Sequence, residues 1–246
     1  MTGIRMGARM KHHLLIWAAA VALAGSQSAV AQWGTPVGAQ PGDWEFRIGP
    51  VFTESKNISF SGGSNANVDS TTGVKIGTGW YVSPHLAIGM NFSWAQSNFG
   101  GNIRGCFVTP CNPNNPPNAQ FEGGHVDFST LNFDGTYTFL DGPIKPLILA
   151  GLGWQWTNTN IASAPPQTGC WWDPWWGYVC STWQPTHGSS SFTYQVGGGL
   201  QIDFSHSFAV NVDYRYTWFK LSHSTGTPAL GSVELMFVWR FPGYHY

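Results

Sequence analysis

Apolar and polar residues alternate along residues 231–241, near the end of the chain. From Val233 onward every second side chain is apolar, and the residues between them include Glu234 and Arg240. Successive side chains of a strand point to opposite faces, so this pattern predicts a strand with one apolar and one charged face. Two structures contain such strands: a barrel with its apolar face toward lipid, and the edge of a secreted β-sandwich with its apolar face inward.

The same two-residue period recurs along the chain and predicts eight strands. They cover residues 44–53, 72–81, 86–95, 126–139, 147–157, 192–203, 208–218 and 231–241. The alternation is clearest in the third strand, residues 86–95. Its even-numbered residues have large apolar side chains, and its odd-numbered residues have small or polar ones. A small inner face is what the wall of a narrow barrel requires.

The connections between the predicted strands alternate in length. Residues 55–70, 98–124, 158–188 and 222–230 form long connections, whereas the turns near residues 83–85, 141–143 and 205–207 are short. Outer-membrane barrels have an even number of strands, with short turns at one end and long loops at the other. The sequence therefore predicts an all-β fold, an eight-stranded antiparallel up-and-down transmembrane β-barrel.

The alternation also assigns a direction to each side chain. Six residues are predicted to face lipid: Phe92, Phe208, Val210, Val212, Leu235 and Phe237. Eight charged residues are predicted to face the lumen: Glu45, Arg47, Lys75, Asp203, Asp213, Arg215, Glu234 and Arg240. Side chains fill the interior of an eight-stranded barrel, and charges in a low-dielectric interior must pair. We therefore expect a lumen closed by salt bridges, with a narrow or gated polar pore as the alternative.

The composition agrees with a membrane barrel. Only 9% of the 246 residues are charged, 15% are aromatic and 31 are glycine, whereas soluble domains average about 25% charged residues. After the N-terminal region, the sequence contains no apolar run of about 18 residues, the length that a membrane-spanning helix needs.

Residues 1–31 have the features of a secretory signal peptide. Arg5, Arg9 and Lys11 precede an apolar run at residues 14–24, and the small residues Ala-Val-Ala at 29–31 form a cleavage site. An N-terminal membrane anchor is the weaker alternative because the apolar run is short. Met10 is a second candidate start. We expect a short periplasmic leader at 32–43, the barrel at 44–241 and a tail at 242–246.

Removal of this segment leaves 8 basic and 12 acidic residues, a net charge of 8 − 12 = −4. This charge argues against nucleic acid as a partner. The four cysteines lie in two close pairs in Pro-, Gly- and Asn-rich stretches, and an exported chain is expected to form disulfides from them. They are Cys106, Cys111, Cys170 and Cys180, and their connectivity stays open. The histidines are scattered and the cysteine spacing does not suit zinc, so we expect no metal and no cofactor.

Three segments of the predicted barrel resemble a known family. They are GWYVSPHLAIG at residues 79–89, KPLILAGLG at residues 145–153 and DYRY at residues 213–216. Together with the closing strand they are similar to the OmpA/OmpX/opacity-type outer-membrane β-barrel proteins, and the resemblance covers residues 44–241.

The resemblance implies a place in the outer membrane of a Gram-negative bacterium, with extracellular loops and periplasmic termini. The implied partners are outer-membrane lipid, lipopolysaccharide and the assembly machinery that reads the closing strand. Members of this family act as adhesins, immune-evasion proteins and envelope stabilisers. The chain ends soon after the last strand, so wall anchoring through a periplasmic domain is not expected. We expect a structural or adhesin-like surface role, with a narrow channel for small solutes as the first alternative.

A lipid A-modifying enzyme is the second alternative, because Ser222-His223-Ser224 precedes Glu234 near the end of the seventh strand. This resembles lipid A deacylase barrels, whose motif is His-x-Ser-Asn. Here Thr225 stands at the position of that serine and no asparagine follows. Adjacent residues of a strand point to opposite faces, so His223 and Ser224 cannot easily act together. We predict that the protein is not an enzyme.

One cysteine-bounded loop, CWWDPWWGYVC at residues 170–180, is rich in aromatic residues. Trp171, Trp172, Trp175, Trp176 and Tyr178 lie in it, and Trp and Tyr are enriched at binding hot spots. We interpret the loop as a ligand-contact surface whose partner is a host glycan, a protein or neighbouring lipopolysaccharide. Two alternatives are a lid of rings packed on the other loops and a part of the aromatic girdle.

Overall fold

The computed structural model of the protein describes residues 38–104, 118–221 and 224–243. In these ranges the regular structure consists of twelve strands. They are β1 (Trp44–Thr53), β2 (Lys56–Ser59), β3 (Asn65–Val68), β4 (Thr71–Ser83), β5 (Leu86–Arg104), β6 (Asn118–Thr138), β7 (Ile144–Ala162), β8 (Gln167–Asp173), β9 (Gly177–Trp183), β10 (Thr186–Asp203), β11 (Phe208–Phe219) and β12 (Ala229–Phe241). Within the same ranges no helix has the length and apolar character to span a membrane.

Eight of the described strands form one closed antiparallel ring, which confirms the predicted fold. The order around the ring is β1-β4-β5-β6-β7-β10-β11-β12. The first and last strands close it, with a register that runs from Trp44 opposite Phe241 to Thr53 opposite Ser232. Closure leaves the ring without a free sheet edge, so its backbone groups are paired between strands as a bilayer requires.

Apolar side chains point outward and polar ones inward around this ring. On β12, Val233 is 40% exposed whereas Glu234 is 3% exposed. Of the six residues predicted to face lipid, Phe92 and Phe237 are exposed and the other four are half-buried on the outer face. An apolar exterior around a polar interior is the reverse of a soluble sandwich and suits a barrel surrounded by lipid.

The short turns lie at one end of the ring, which we call the short-turn end, and the opposite end is the long-loop end. At the long-loop end the predicted loops were wrong in extent. β5 continues to Arg104, β6 begins at Asn118, β7 continues to Ala162 and β10 begins at Thr186. The residues of these extensions are mostly polar or small, so they lack the apolar alternation that marks a lipid-facing strand. Backbone pairing between neighbouring strands holds them extended.

The first predicted loop, residues 55–70, contains the hairpin β2–β3. β3 pairs with β5, with Val68 opposite Phe99, and Phe60 forms a bridge to Ser224 in the connection between β11 and β12. Buried apolar side chains from the hairpin and from the ring pack together there. This apolar cap consists of Ile58, Val68, Phe99, Val126 and Phe219.

Candidate functional site: an aromatic hairpin and a filled lumen

The strands β8 and β9 form a separate two-stranded sheet that contains the aromatic loop. Their register runs from Gln167 opposite Trp183 to Asp173 opposite Gly177. At the tip, Oδ1 of Asp173 accepts hydrogen bonds from the backbone N–H groups of Trp175 (2.8 Å) and Trp176 (3.0 Å). Gly177 has a φ of 76°, which favours glycine at this position. The sequence Asp-Pro-Trp-Trp-Gly therefore forms a defined turn rather than an irregular loop.

A disulfide joins Cys170 to Cys180 across the two strands, with their Cα atoms 4.0 Å apart. This pairing, which the sequence left open, links the two strands three residues from Asp173 and Gly177, the last pair before the turn. Cys106 and Cys111, the other two cysteines, lie outside the described residues.

The aromatic side chains of this hairpin are exposed. Trp175 is 88% exposed, Trp176 81%, Trp172 72%, Tyr178 70% and Trp171 50%. A lid of rings packed on the other loops would bury them, so these exposures speak against the lid interpretation. Exposed aromatic side chains of this size commonly mark an interaction site.

The hairpin follows a stretch in which β7 and β10 pair only with each other. The pairing of β7 with β6 ends at Thr159, and the pairing of β10 with β11 ends at Thr193. β7 and β10 remain paired with each other as far as Ala162 and Thr186. At about 3.3 Å per residue, the chain from residue 160 to the tip has a contour length of about 50 Å. The aromatic tip thus lies beyond the part of the chain that pairs with the barrel wall, within a reach of at most about 50 Å.

The lumen contains a second group of predicted residues, arranged around Arg215. Its guanidinium group lies 2.8 Å from Asp134, 2.7 Å from Asp213 and 2.9 Å from Glu234. Lys75 donates to both carboxylate oxygens of Glu234, at 2.9 Å each. All of these side chains are buried. A buried charge is tolerated when it is paired in this way.

The pair Glu45 and Arg47 extends the network, since Arg47 contacts Glu45 and lies 3.9 Å from Asp134. Glycine makes room for this pair: a Cβ atom at Gly79 would lie 2.6 Å from a carboxylate oxygen of Glu45. The hydroxyl of Tyr81 donates to Glu45 at 2.9 Å. The small inner face expected for a narrow barrel is used here to accommodate charged side chains.

A second cluster lies around Asp203, which pairs with Arg240 at 2.5 Å and with Lys145 at 3.0 Å. The guanidinium carbon of Arg240 lies 5.6 Å from the centre of the Tyr81 ring, within cation–π distance. Tyr81 therefore contacts both clusters, through its ring and through its hydroxyl.

The structure brings together all eight charged residues predicted for the lumen and adds two that were missed, Asp134 and Lys145. Among the described lumen side chains in these clusters, five are basic and five acidic. Asp134 follows Phe133, an outward residue, so the alternation contained the signal that it faces inward. Lys145 precedes Pro146 and was assigned to a turn, because the fifth strand was predicted to begin two residues later.

A cavity of about 80 Å³ lies in the lumen between the Lys75–Glu234 pair and Phe128 and Leu230, which pack on the apolar cap. Polar side chains such as Asn132, Gln155 and Gln195 line much of it. At about 30 Å³ per water molecule it has room for a few waters.

The residues considered for catalysis are not brought together in the described part of the chain. Ser222 and His223 lie outside the described residues. Oγ of Ser224 lies 3.0 Å from the carbonyl oxygen of Leu221 and 2.6 Å from that of Gly226. Glu234 lies in the lumen, paired with Lys75 and Arg215. Residues 38–104, 118–221 and 224–243 contain no cluster of side chains suited to binding a metal ion.

Comparison with known proteins gives a family and a set of similar folds. The family model described as outer membrane protein beta-barrel domain matches residues 16–241. Among curated protein sequences, no significant match was found.

Several solved structures are similar in fold. Neisserial surface protein A (NspA) has 12% sequence identity and a TM-score of 0.50, covering 81% of this chain and 97% of its own. Ail of Yersinia pestis, solved with the heparin analogue sucrose octasulfate, has 13% identity and a TM-score of 0.45, covering 82% of this chain and 100% of its own. OprG of Pseudomonas aeruginosa has 13% identity and a TM-score of 0.45, covering 84% of this chain and 99% of its own. At these identities the likeness concerns the fold alone.

Proposed function

Because the chain belongs to the outer membrane protein beta-barrel domain family, we propose that it is a surface protein of the bacterial outer membrane with a structural and adhesin-like role. In this proposal residues 1–31 direct export and are removed. The short turns and both termini are periplasmic, and the long loops, including the β8–β9 hairpin, are extracellular. The closing strand β12 is the segment that the assembly machinery reads, and lipid and lipopolysaccharide surround the outward face.

The observation that supports an adhesin-like role is the exposure of the aromatic tip. Trp175 and Trp176 are more than four-fifths exposed at the tip of a disulfide-linked hairpin. Large apolar rings kept in water are unfavourable, and contact with a partner removes them from it. The disulfide restricts the free hairpin, so less conformational entropy is lost when the tip binds.

A channel is less well supported than a closed barrel. Ten charged side chains in the lumen are paired with one another, and the apolar cap lies toward the long-loop end. A catalytic role also lacks support, because Glu234 is paired with Lys75 and Arg215 in the lumen and Oγ of Ser224 lies against backbone carbonyl oxygens.

The proposed role is tested by adhesion of whole bacterial cells that display the protein. We expect the double variant Trp175→Ala, Trp176→Ala to fold and reach the surface like the parent, because exposed side chains contribute little to stability. We expect its adhesion to host-cell monolayers, matrix proteins and glycan arrays to fall to the level of cells without the protein.

The matched control is the double variant Trp94→Ala, Trp156→Ala, which removes two exposed rings from the outer face of the barrel instead. This control should adhere like the parent. Full adhesion by the tip variant at equal surface display would refute the proposed role of the hairpin.

A further inference from the structure

We propose that the partner of the β8–β9 hairpin is a lipid bilayer, the membrane of an apposed cell, into whose interface the aromatic tip inserts. This proposal rests on the adhesin-like role proposed above and assigns its partner. In this proposal the paired ends of β7 and β10 carry the hairpin to the apposed membrane.

Aromatic rings cover both faces of the hairpin. Trp172 lies opposite Tyr178, and the alternation places this pair on the same face as the Cys170–Cys180 disulfide. Trp171 lies opposite Val179 on the other face.

Trp183 extends that second face toward the base of the hairpin. A Cβ atom at Gly169 would lie 2.5 Å from the Trp183 ring, so the ring covers the glycine. With Trp175 and Trp176 at the turn, the aromatic surface continues from one face around the tip to the other. A bilayer interface surrounds an inserted tip and so contacts rings on both faces at once, whereas a partner that docks on one face leaves the rings of the other in water.

The β8–β9 hairpin carries almost no charge. Asp173 is the one charged residue in the sequence from Gln167 to Trp183. Its carboxylate already accepts two backbone hydrogen bonds in the turn. Trp and Tyr favour the boundary between headgroups and hydrocarbon, because their rings are apolar and their N–H or O–H groups are polar. A sulfated or acidic partner would instead require basic side chains, which this hairpin lacks.

The chain beyond the barrel wall is long enough for the tip to meet an apposed membrane. Backbone pairing of β7 with β6 ends at Thr159, just after the outward-facing Trp156, and the side chain of Asn160 makes a further contact with His125 of β6. From there to the tip the contour length of the chain is about 50 Å, which is the upper limit of its reach. β7 and β10 pair with each other through residues 162 and 186, and the backbone N–H of Ser163 donates to Pro185 at 2.8 Å. The side chain of Gln184 donates to the carbonyl oxygen of Ala164 at 3.2 Å, so hydrogen bonds also link the two segments of chain between the paired ends of β7 and β10 and the separate β8–β9 sheet.

The test uses the full-length barrel in nanodiscs of ordinary phosphatidylcholine, mixed with separate vesicles of the brominated lipid. Bromine quenches only tryptophans that enter the vesicle bilayer, and flotation measures binding to the same vesicles. We expect the parent and the Trp94→Ala, Trp156→Ala control to float and to be quenched. The Trp175→Ala, Trp176→Ala variant should lose about tenfold or more in vesicle affinity, because two apolar rings no longer enter the bilayer.

Absence of flotation and quenching for the parent would overturn the proposal, and so would equal quenching of the parent and the tip variant, which would report lipid exchange. Tip-dependent binding to a glycan array or a purified matrix protein without vesicle binding would also overturn it. That last result would leave the adhesin-like role intact, whereas tip-independent cell adhesion would remove the role itself.

Discussion

Arg215 is the residue on which the charges of the lumen converge, since Asp134, Asp213 and Glu234 all lie within 3 Å of it. Asp134 in turn accepts a hydrogen bond from the side chain of Asn91 at 2.8 Å. These groups are buried inside a narrow ring, so the loss of one partner leaves another charge unpaired in a low-dielectric environment. We therefore expect the interior of the barrel to be sensitive to single isosteric changes.

The substitution Asp134→Asn tests this sensitivity. It keeps the side-chain shape but removes the charge that faces Arg215 and Arg47, and we expect it to lower the free energy of unfolding by about 3–5 kcal/mol. The measurement is denaturant unfolding of the barrel in lipid vesicles.

The control is Asp141→Asn, whose side chain is 92% exposed and lies 3.6 Å from His85. A surface pair of this kind contributes at most about 1 kcal/mol. Equal stability of the two variants would show that the buried network does not hold the lumen together.

The direction of a charged side chain could be predicted from the sequence wherever the charge interrupts a run of alternating apolar residues. Glu45 and Arg47 stand between Trp44, Phe46 and Ile48, and the period alone directs them inward. Lys145 could not be assigned in this way, because Pro146 and Gly142 indicate a turn and the first residues of β7 lack a clear period. Which acid pairs with which base depends on neighbours across the ring, and no local pattern contains that information.

At the scale of single strands, β5 contains the sharpest contrast between the two faces of the barrel wall. Phe92 is 40% exposed on the outer face, whereas Ser93 lines the lumen cavity together with Lys75 and Glu234. These neighbours in the sequence thus face lipid and a polar cavity.

We expect Phe92→Arg to destabilise the barrel by about 2–4 kcal/mol, the cost of a basic side chain on the lipid face near mid-bilayer. Ser93→Arg should cost less, because its side chain enters a polar cavity lined by both Lys75 and Glu234 instead of lipid. The comparison is the fraction of each variant that keeps the fast mobility of a folded barrel on an unheated gel. A Ser93→Arg variant that is as defective as Phe92→Arg would contradict the assigned orientation.

The β8–β9 hairpin offers a second test at this scale. Replacing Cys170 and Cys180 with Ser removes the disulfide, and we expect the hairpin to open more easily by about 2–3 kcal/mol. Hydrogen exchange of the hairpin amides should become faster while the amides of the barrel strands keep their protection.

The control for this test is Thr168→Ala with Thr182→Ala, which removes a cross-strand contact of 2.9 Å between two hydroxyl groups on the same hairpin. It should affect exchange less, by about 0.2–1 kcal/mol. Unchanged exchange in the cysteine variant would show that the disulfide does not order the tip.

The eight barrel strands were predictable because lipid on one side and a polar interior on the other impose a strict period on each strand. The strand extensions and the two extra hairpins were not, since they lack the strict alternation of apolar and polar residues that marks a lipid-facing strand. The tip turn is an intermediate case: Asp173-Pro174 indicated a turn, but the pairing of Trp172 with Tyr178 required the register.

Across the barrel as a whole, the lumen of the described structure is filled along its length. Charge clusters are followed by a small cavity and then, toward the long-loop end, by the apolar cap. We therefore expect the purified barrel to show no steady ion conductance in a planar bilayer, under conditions in which an open porin conducts. Steady and large ion conductance would contradict the closed lumen.

We propose that the barrel is a closed scaffold and that the β8–β9 hairpin carries the function. Ala162 lies opposite Thr186 in the register of β7 and β10, so residues 163–185 can be replaced by the two-residue turn Asn-Gly. The decisive measurement is adhesion of cells that display this shortened barrel, at surface levels and gel mobility matched to the parent. We expect a folded barrel whose cells adhere no better than cells without the protein. Adhesion equal to that of the parent would contradict the proposed role of the hairpin.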